Sequence, residues 1–202
     1  MNLTELISRE LPDDLLSQIA GQAGIEDENT GVQASKSLIN ILLQGISKNV
    51  SNEPGASGLL SALDRDHDGS ILNDVLGMLS GQTTAANPSM LDGAGILGHI
   101  LGGRKENTAN QVGKLFGLDT GTLMKLMMTL APIVMGLLGK FRAAGKLNDD
   151  NVQQVVEETV EQQKAEQPGF GIFGKLLDKD GDGNISDDLL QMGMKFLLKE
   201  KV

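Results

Sequence analysis

The chain has no cysteine, no tryptophan, no tyrosine and only five phenylalanines in 202 residues. Without cysteine there is no disulfide and no thiolate nucleophile, and cysteine usage says nothing about the redox compartment. With only two histidines, His67 and His99, far apart in sequence, the chain is also a poor candidate for zinc. A chain so poor in aromatics is badly suited to a β-sandwich, because strands favour aromatic and β-branched residues. The net charge of −10 argues against nucleic acid, whose phosphates need clustered Lys and Arg. It argues equally against an anionic membrane surface. The N-terminus, MNLTELISRELPDD, lacks the basic start and apolar run of a secretion signal. The cytoplasm is therefore the default location. No long apolar span is visible either: the stretch between Lys125 and Lys140 is uncharged but shorter than the ~20 residues that cross a bilayer. It reads as a buried core helix, and membrane association is not expected.

What remains is Leu, Ile, Val, Met and Ala, together with 26 glycines, about twice the usual share. Helical periodicity runs along the chain, and no convincing strand appears. A first helix starts at Asp13 or Asp14 and stops between Gly21 and Gly24. NTGVQASKSLINILLQGISKN has Thr30 as N-cap with Gln33 in the capping-box place and an apolar face of Leu38, Ile41, Leu42 and Ile46. EPGASG reads as a turn. GAGILGHILGG is a short apolar helix bounded by glycine. NTANQVGKLFG begins at a capping Asn107 and ends at Gly117. DTGTLMKLMMTLAPIVMGLLGKFRAAG is apolar nearly all round, hence central, and Pro132 removes one of its backbone hydrogen bonds. NDDNVQQVVEETVEQQKAEQ is capped by Asn148 or Asp149. It turns Val152, Val155, Val156 and Val160 inward and its Gln/Glu side to solvent. PGFG breaks the chain before a last apolar helix.

An internal repeat is visible by order of elements more than by identity. QIAGQAGI (18–25) matches QVGKLFGL (111–118), and NILLQGISKN matches PIVMGLLGKF, with Asn40 opposite Pro132. The expected fold class is all-α, a compact Gly-rich assembly of two related halves. These are residues 1–84 and 90–202, each ending in an EF-hand-like acidic loop. The second half carries an additional acidic helix before its loop.

Those loops are the strongest functional signal. DRDHDGSILND (64–74) and DKDGDGNISDD (178–188) each crowd carboxylates around a sharp bend. A hard cation such as Ca²⁺ takes six to eight oxygens at about 2.3–2.6 Å. Carboxylates at loop positions 1, 3 and 5 converge on it when Gly at position 6 permits the turn. In the first loop these are Asp64, Asp66 and Asp68, with Gly69, the Ser70 carbonyl and the apolar Ile71. In the second they are Asp178, Asp180 and Asp182, with Gly183, the Asn184 carbonyl and Ile185. The usual bidentate Glu at position 12 is absent, since Val75 and Leu189 stand there. The closing acid comes one residue early, at Asp74 and Asp188, with Asp187 beside the latter. Both loops depart in the same way, which points to a shorter variant with monodentate closure and a dissociation constant of about 10⁻⁵–10⁻³ M. Mg²⁺ fits less well, because it needs a tighter octahedral shell. The plainer alternative is a pair of solvated, Asp-rich helix N-caps. Free calcium is low in the cytoplasm, so weak sites leave an extracellular or periplasmic location open.

GAGILGHILGG, then GLDTGTLMKLMMTLAPIVMGLLGKFRAAGKL, then LLDKDGDGNISDDLL, resemble the YidB-like family of bacterial proteins of unknown function. The likeness is clearest over 93–147. It implies an all-helical, Gly-rich fold and no established activity or catalytic residue. The two acidic loops, each between apolar helices, also resemble those of EF-hands and dockerin modules.

No GxSxG, HExxH, Walker or Rossmann pattern is present. GAGILG looks like part of a dinucleotide fingerprint, but no strand precedes it, and glycine there serves close helix packing. His99 lies on a short apolar helix with no nucleophile motif about it, so it reads as structural. The methionines 124, 127, 128 and 135 form either core or an adaptable binding groove, core being the commoner use. The expected function is non-enzymatic: a calcium-binding structural or interaction protein, with a homo-oligomer or protein partner. A metal-dependent hydrolase using the acidic loops and a membrane-associated helical protein are the alternatives.

Overall fold

In the computed structural model the described residues are 2–66 and 92–166. Residues 1–163 form one compact unit, and a second begins at Lys164; only the end of one helix is described beyond that point. The described residues are helical, with no strand among them. The order is α1 (Leu3–Glu10), α2 (Asp13–Ala23), α3 (Glu28–Asn49), α4 (Glu53–Asp66), α5 (Gly93–Leu101), a 3₁₀ turn (Gly102–Arg104), α6 (Lys105–Phe116), α7 (Thr120–Ala143) and α8 (Val152–Glu166). The helices of 1–66 and those after residue 92 share one core. The boundary expected near residues 84–90 falls outside the described residues.

Two long helices make that core. Leu38, Leu42 and Leu43 of α3 and Leu123, Leu126, Met127 and Leu130 of α7 are completely buried. Each such side chain contributes about 1.5–3 kcal/mol relative to exposure, which fixes α3 against α7. The helices α2, α5 and α6 each pack on both α3 and α7, while α1 and α4 pack on α7. α7 is long and apolar enough to cross a membrane, but 67% of its apolar window is buried inside the unit. It is the core helix that its sequence predicts. Met127 and Met135 are buried with it, and Met124 and Met128 are half-buried, so the methionine stripe serves mainly as core.

The two long helices begin in the same way. α2 ends at Gly24, held at φ +104°, and Ile25 N–H donates to the Ala20 carbonyl at 3.0 Å. α6 ends at Gly117, at φ +69°, and Leu118 N–H donates to the Gly113 carbonyl at 2.9 Å. Both are left-handed glycine stops, closed by a bond back across the last turn. An Asp then caps the next helix: Asp27 accepts from Thr30 N–H at 2.7 Å, and Asp119 from Thr122 N–H at 2.9 Å.

Several expected boundaries move. The N-cap of α3 is Asp27, and Thr30 is the residue whose N–H it receives. The carboxylate wins because a charged acceptor bonds a helix N-terminus more strongly than a hydroxyl. EPGASG is the start of α4 and not a turn: Pro54 is tolerated in a first turn, where its missing N–H has no helical partner to lose. α6 starts at Lys105, two residues before Asn107, because the 3₁₀ turn already sets the chain in helical dihedrals. Asn148 does precede α8 and accepts from Asp150 N–H and Asn151 N–H at 3.0 and 3.1 Å. Val152, Val156 and Val160 of α8 are buried, with Val155 half-buried.

Glycine lets the helices approach closely. A Cβ on Gly45 of α3 would lie 2.6 Å from Ile100 Cγ2 of α5, and one on Gly31 would lie 2.7 Å from Ala20 Cβ of α2. The tightest case involves Pro132. Lacking an N–H, it leaves the Met128 carbonyl without its helical donor, and that oxygen is directed at α5. A Cβ on Gly93 would come within 1.9 Å of it. Gly93 is thus the residue that lets α5 sit on the proline break of α7.

Candidate functional site

The C-terminal end of α7 is where charge gathers around the core. Its last turn carries Lys140 and Arg142, the sign that suits a helix C-terminus. Each holds a different helix. Lys140 Nζ donates to Glu10 Oε2 of α1 at 2.8 Å. Arg142 grips Asp64 of α4 with a two-pronged contact, Nε to Oδ1 and Nη2 to Oδ2. Asp64 is positioned by its own helix: Leu60 and Leu63, one turn apart, are buried and dock α4 on α7, which carries the next residue to the edge of the contact. Arg142 Nη1 also reaches the Leu147 carbonyl at 3.5 Å.

The guanidinium hydrogen bonds hold the Asp64 carboxyl below its ordinary range. The pair raises Arg142 in turn, with a smaller contribution from the charge of Asp149. A pocket of about 320 Å³ opens beside the pair, lined by Leu63, Asp64, Gly139, Arg142, Ala143 and Leu147. Leu63, Ala143 and Leu147 give it aliphatic walls, and among the described lining residues the charges are those of the Arg142–Asp64 pair, which neutralise one another.

Of the residues expected to hold calcium, Asp64 alone has a described side chain. Asp66 is the last residue of α4, so the backbone of loop positions 1 to 3 is helical. Asp68, Ser70, Asp74, Asp178, Asp180, Asp182, Asn184, Asp187 and Asp188 lie outside the described residues, as do His67 and the stretch expected to form a last apolar helix. Among the described residues no three His, Cys, Asp or Glu side chains gather as a metal site. His99 is exposed on α5, and its backbone carbonyl accepts from Asn49 Nδ2 at 2.9 Å, which joins α5 to the end of α3.

Arg142 is the residue that sequence reasoning missed. Its partner lies 78 positions away, and no motif joins them. The available signal was a basic residue in the last turn of the longest helix of an acidic protein.

A model of a bacterial protein family of unknown function, DUF937, matches residues 5–141, more than half of the chain. The chain belongs to this family. The match takes in the first acidic loop and most of the helical unit, and stops before α8 and the second loop. Membership of DUF937 brings no activity with it. Comparison with curated proteins and with solved structures gives no match.

Proposed function

We propose that this DUF937 protein is a non-enzymatic calcium-binding structural or interaction protein whose folding or assembly is coupled to the ion. The observation that carries the reading is the doubled motif. Two DxDxDG stretches, each with Gly at position 6, Ile at 8 and an early closing Asp at 11, repeat the same departure from the standard loop. The residues assigned to the ion are Asp64, Asp66, Asp68, the Ser70 carbonyl and Asp74, and Asp178, Asp180, Asp182, the Asn184 carbonyl, Asp187 and Asp188. Without a cation these carboxylates repel one another. With Ca²⁺ the repulsion is removed and the flanking helices are drawn together, so that binding free energy becomes folding free energy.

Helix order supports the idea of two related halves around these loops. Among the described residues, helices of 8, 11, 22 and 14 residues come before position 67, and helices of 9, 12, 24 and 15 come after position 92. The fourth of each set is the last described before an acidic loop. The acidic helix α8 then corresponds to α4 in this alignment. The likenesses to YidB-like proteins, EF-hands and dockerins belong to the same reading, as does self-assembly into a homo-oligomer.

Calorimetric titration with Ca²⁺ and Mg²⁺ tests it on the natural protein, Asp66→Ala and Asp180→Ala. The reading expects calcium heat that each substitution reduces separately. Equal heats in all three proteins, or none, would return the loops to the status of solvated helix caps.

A further inference from the structure

We infer that the pocket between the ends of α4 and α7 is a binding site for a free aliphatic amino acid, which enters between Arg142 and Asp64. Its carboxylate goes to the Arg142 guanidinium, its ammonium to the Asp64 carboxylate and its side chain to the aliphatic wall. The inference goes beyond the calcium reading and does not rest on it.

Three complementary features meet in this one cavity. It measures about 320 Å³, the lower end of the range for small-ligand pockets, which suits a single amino acid better than a peptide. Leu63 and Leu147 supply apolar lining, Arg142 a cation and Asp64 an anion. A ligand with a carboxylate, an ammonium and a short aliphatic chain offers a counterpart to each.

The count of ion pairs selects a zwitterion. A simple carboxylate would have to evict Asp64, exchanging one pair for another and leaving Asp64 alone. A simple amine would do the reverse and leave Arg142 alone. A zwitterion breaks one pair and forms two, and the site stays neutral. The surroundings also oppose a ligand of net negative charge, since the chain carries −10 and Asp149 already acts on Arg142.

The pair is built so that one side can yield. The Arg142 side chain is 21% exposed and that of Asp64 57%. Arg142 is held further by the Leu147 carbonyl, which keeps its fork in place to receive a carboxylate in a two-pronged contact. Asp64 stands in the last turn of α4, where a side-chain rotation is enough to open the pair. An ion pair this exposed is weak, so opening it costs little. Affinity is correspondingly low, with a dissociation constant on the order of 1 mM.

The test is an NMR titration of the full-length protein with L-leucine in calcium-free buffer, following the methyl signals of Leu63 and Leu147 and the Nε–H signal of Arg142. Leucine should give saturable shifts in the millimolar range. Isocaproate, the same skeleton without the ammonium, and isoamylamine, without the carboxylate, should each bind about tenfold more weakly. Glycine, lacking the aliphatic chain, should bind several-fold more weakly. No shift with leucine would overturn the inference, and so would isocaproate binding as tightly as leucine, because that outcome means displacement of Asp64 by any carboxylate. These comparisons need no substitution. Asp64→Asn should erase the preference for leucine over isocaproate, and Arg142→Gln should abolish leucine binding. A preference that survives the first change, or binding that survives the second, would overturn the inference too. Calcium heats, measured separately, decide the calcium reading whatever leucine does.

Discussion

α3 and α7 are the same kind of helix solved in two ways. Each follows a left-handed glycine stop and an Asp cap, and each breaks a rule thirteen residues after that cap (27 to 40, 119 to 132). α7 does so with Pro132, which removes a backbone donor. α3 does so with Asn40, which is 3% exposed and whose Nδ2 and Oδ1 both lack a hydrogen-bond partner among the described residues. In α7 the irregularity is used: the freed Met128 carbonyl meets the glycine face of α5. In α3 the amide is carried at a cost, since a buried polar group without a partner loses about 1–3 kcal/mol. One irregularity is matched by a neighbour and the other is not, so changes at the two places should have opposite signs.

The largest expected effect lies at the matched one. Gly93→Ala drives a Cβ against the Met128 carbonyl and should destabilise the protein by on the order of 3 kcal/mol, measured by urea unfolding. Gly98→Ala, on the same helix with open space around it, should instead stabilise by about 0.5–1 kcal/mol. Equal effects at the two glycines would deny that α5 is seated on the proline break. Next comes the unmatched irregularity. Asn40→Leu should raise stability by about 1 kcal/mol. A loss of that size would mean that the amide has a partner, such as an internal water, and that the contrast with Pro132 is false.

The caps should give smaller and equal effects. Asp27→Ala and Asp119→Ala each remove one acceptor from a helix N-terminus, and each should lower the melting temperature by about 2–4 °C. Unequal losses would show that the starts of α3 and α7 only look alike. The smallest effect is a pH dependence on one side only. The Lys140 ammonium, with Arg9, holds the Glu10 carboxyl below its ordinary range. A carboxyl lowered in the folded state adds stability that is fully present above the unfolded value, about pH 4.3, and is lost as pH falls through the folded value. Melting temperature should therefore drop on acidification below that point, and Glu10→Gln should make the drop shallower in low salt. An unchanged profile would remove the Glu10–Lys140 pair from the account.

Much of the fold was legible because local chemistry decided it. Asp13 opens α2 and Gly24 closes it. Gly117 closes α6, and the apolar run from Leu123 to Phe141 lies in the core. The boundaries that moved had competing signals side by side. IEDENT offers several capping residues before α3, and Pro54 with Gly55 reads as a turn until the first-turn tolerance for proline is weighed. The capping box that opens α1, Asn2 with Glu5, was legible and went unread. The candidate site was half legible. The acidic motif announces itself by spacing, but Arg142 faces Asp64 only because α4 and α7 pack together. A contact made by tertiary packing leaves no periodic trace in the chain.

The central claim is that calcium and folding are linked through the two acidic loops. Thermal unfolding of the full chain in excess chelator, and again with Ca²⁺ about tenfold above the dissociation constant, tests it directly. The account predicts a higher melting temperature with calcium, worth ~1.4 kcal/mol per filled site, not reproduced by equal Mg²⁺ and abolished when Asp66→Ala and Asp180→Ala are combined. Superimposable melts in chelator and in calcium would contradict it.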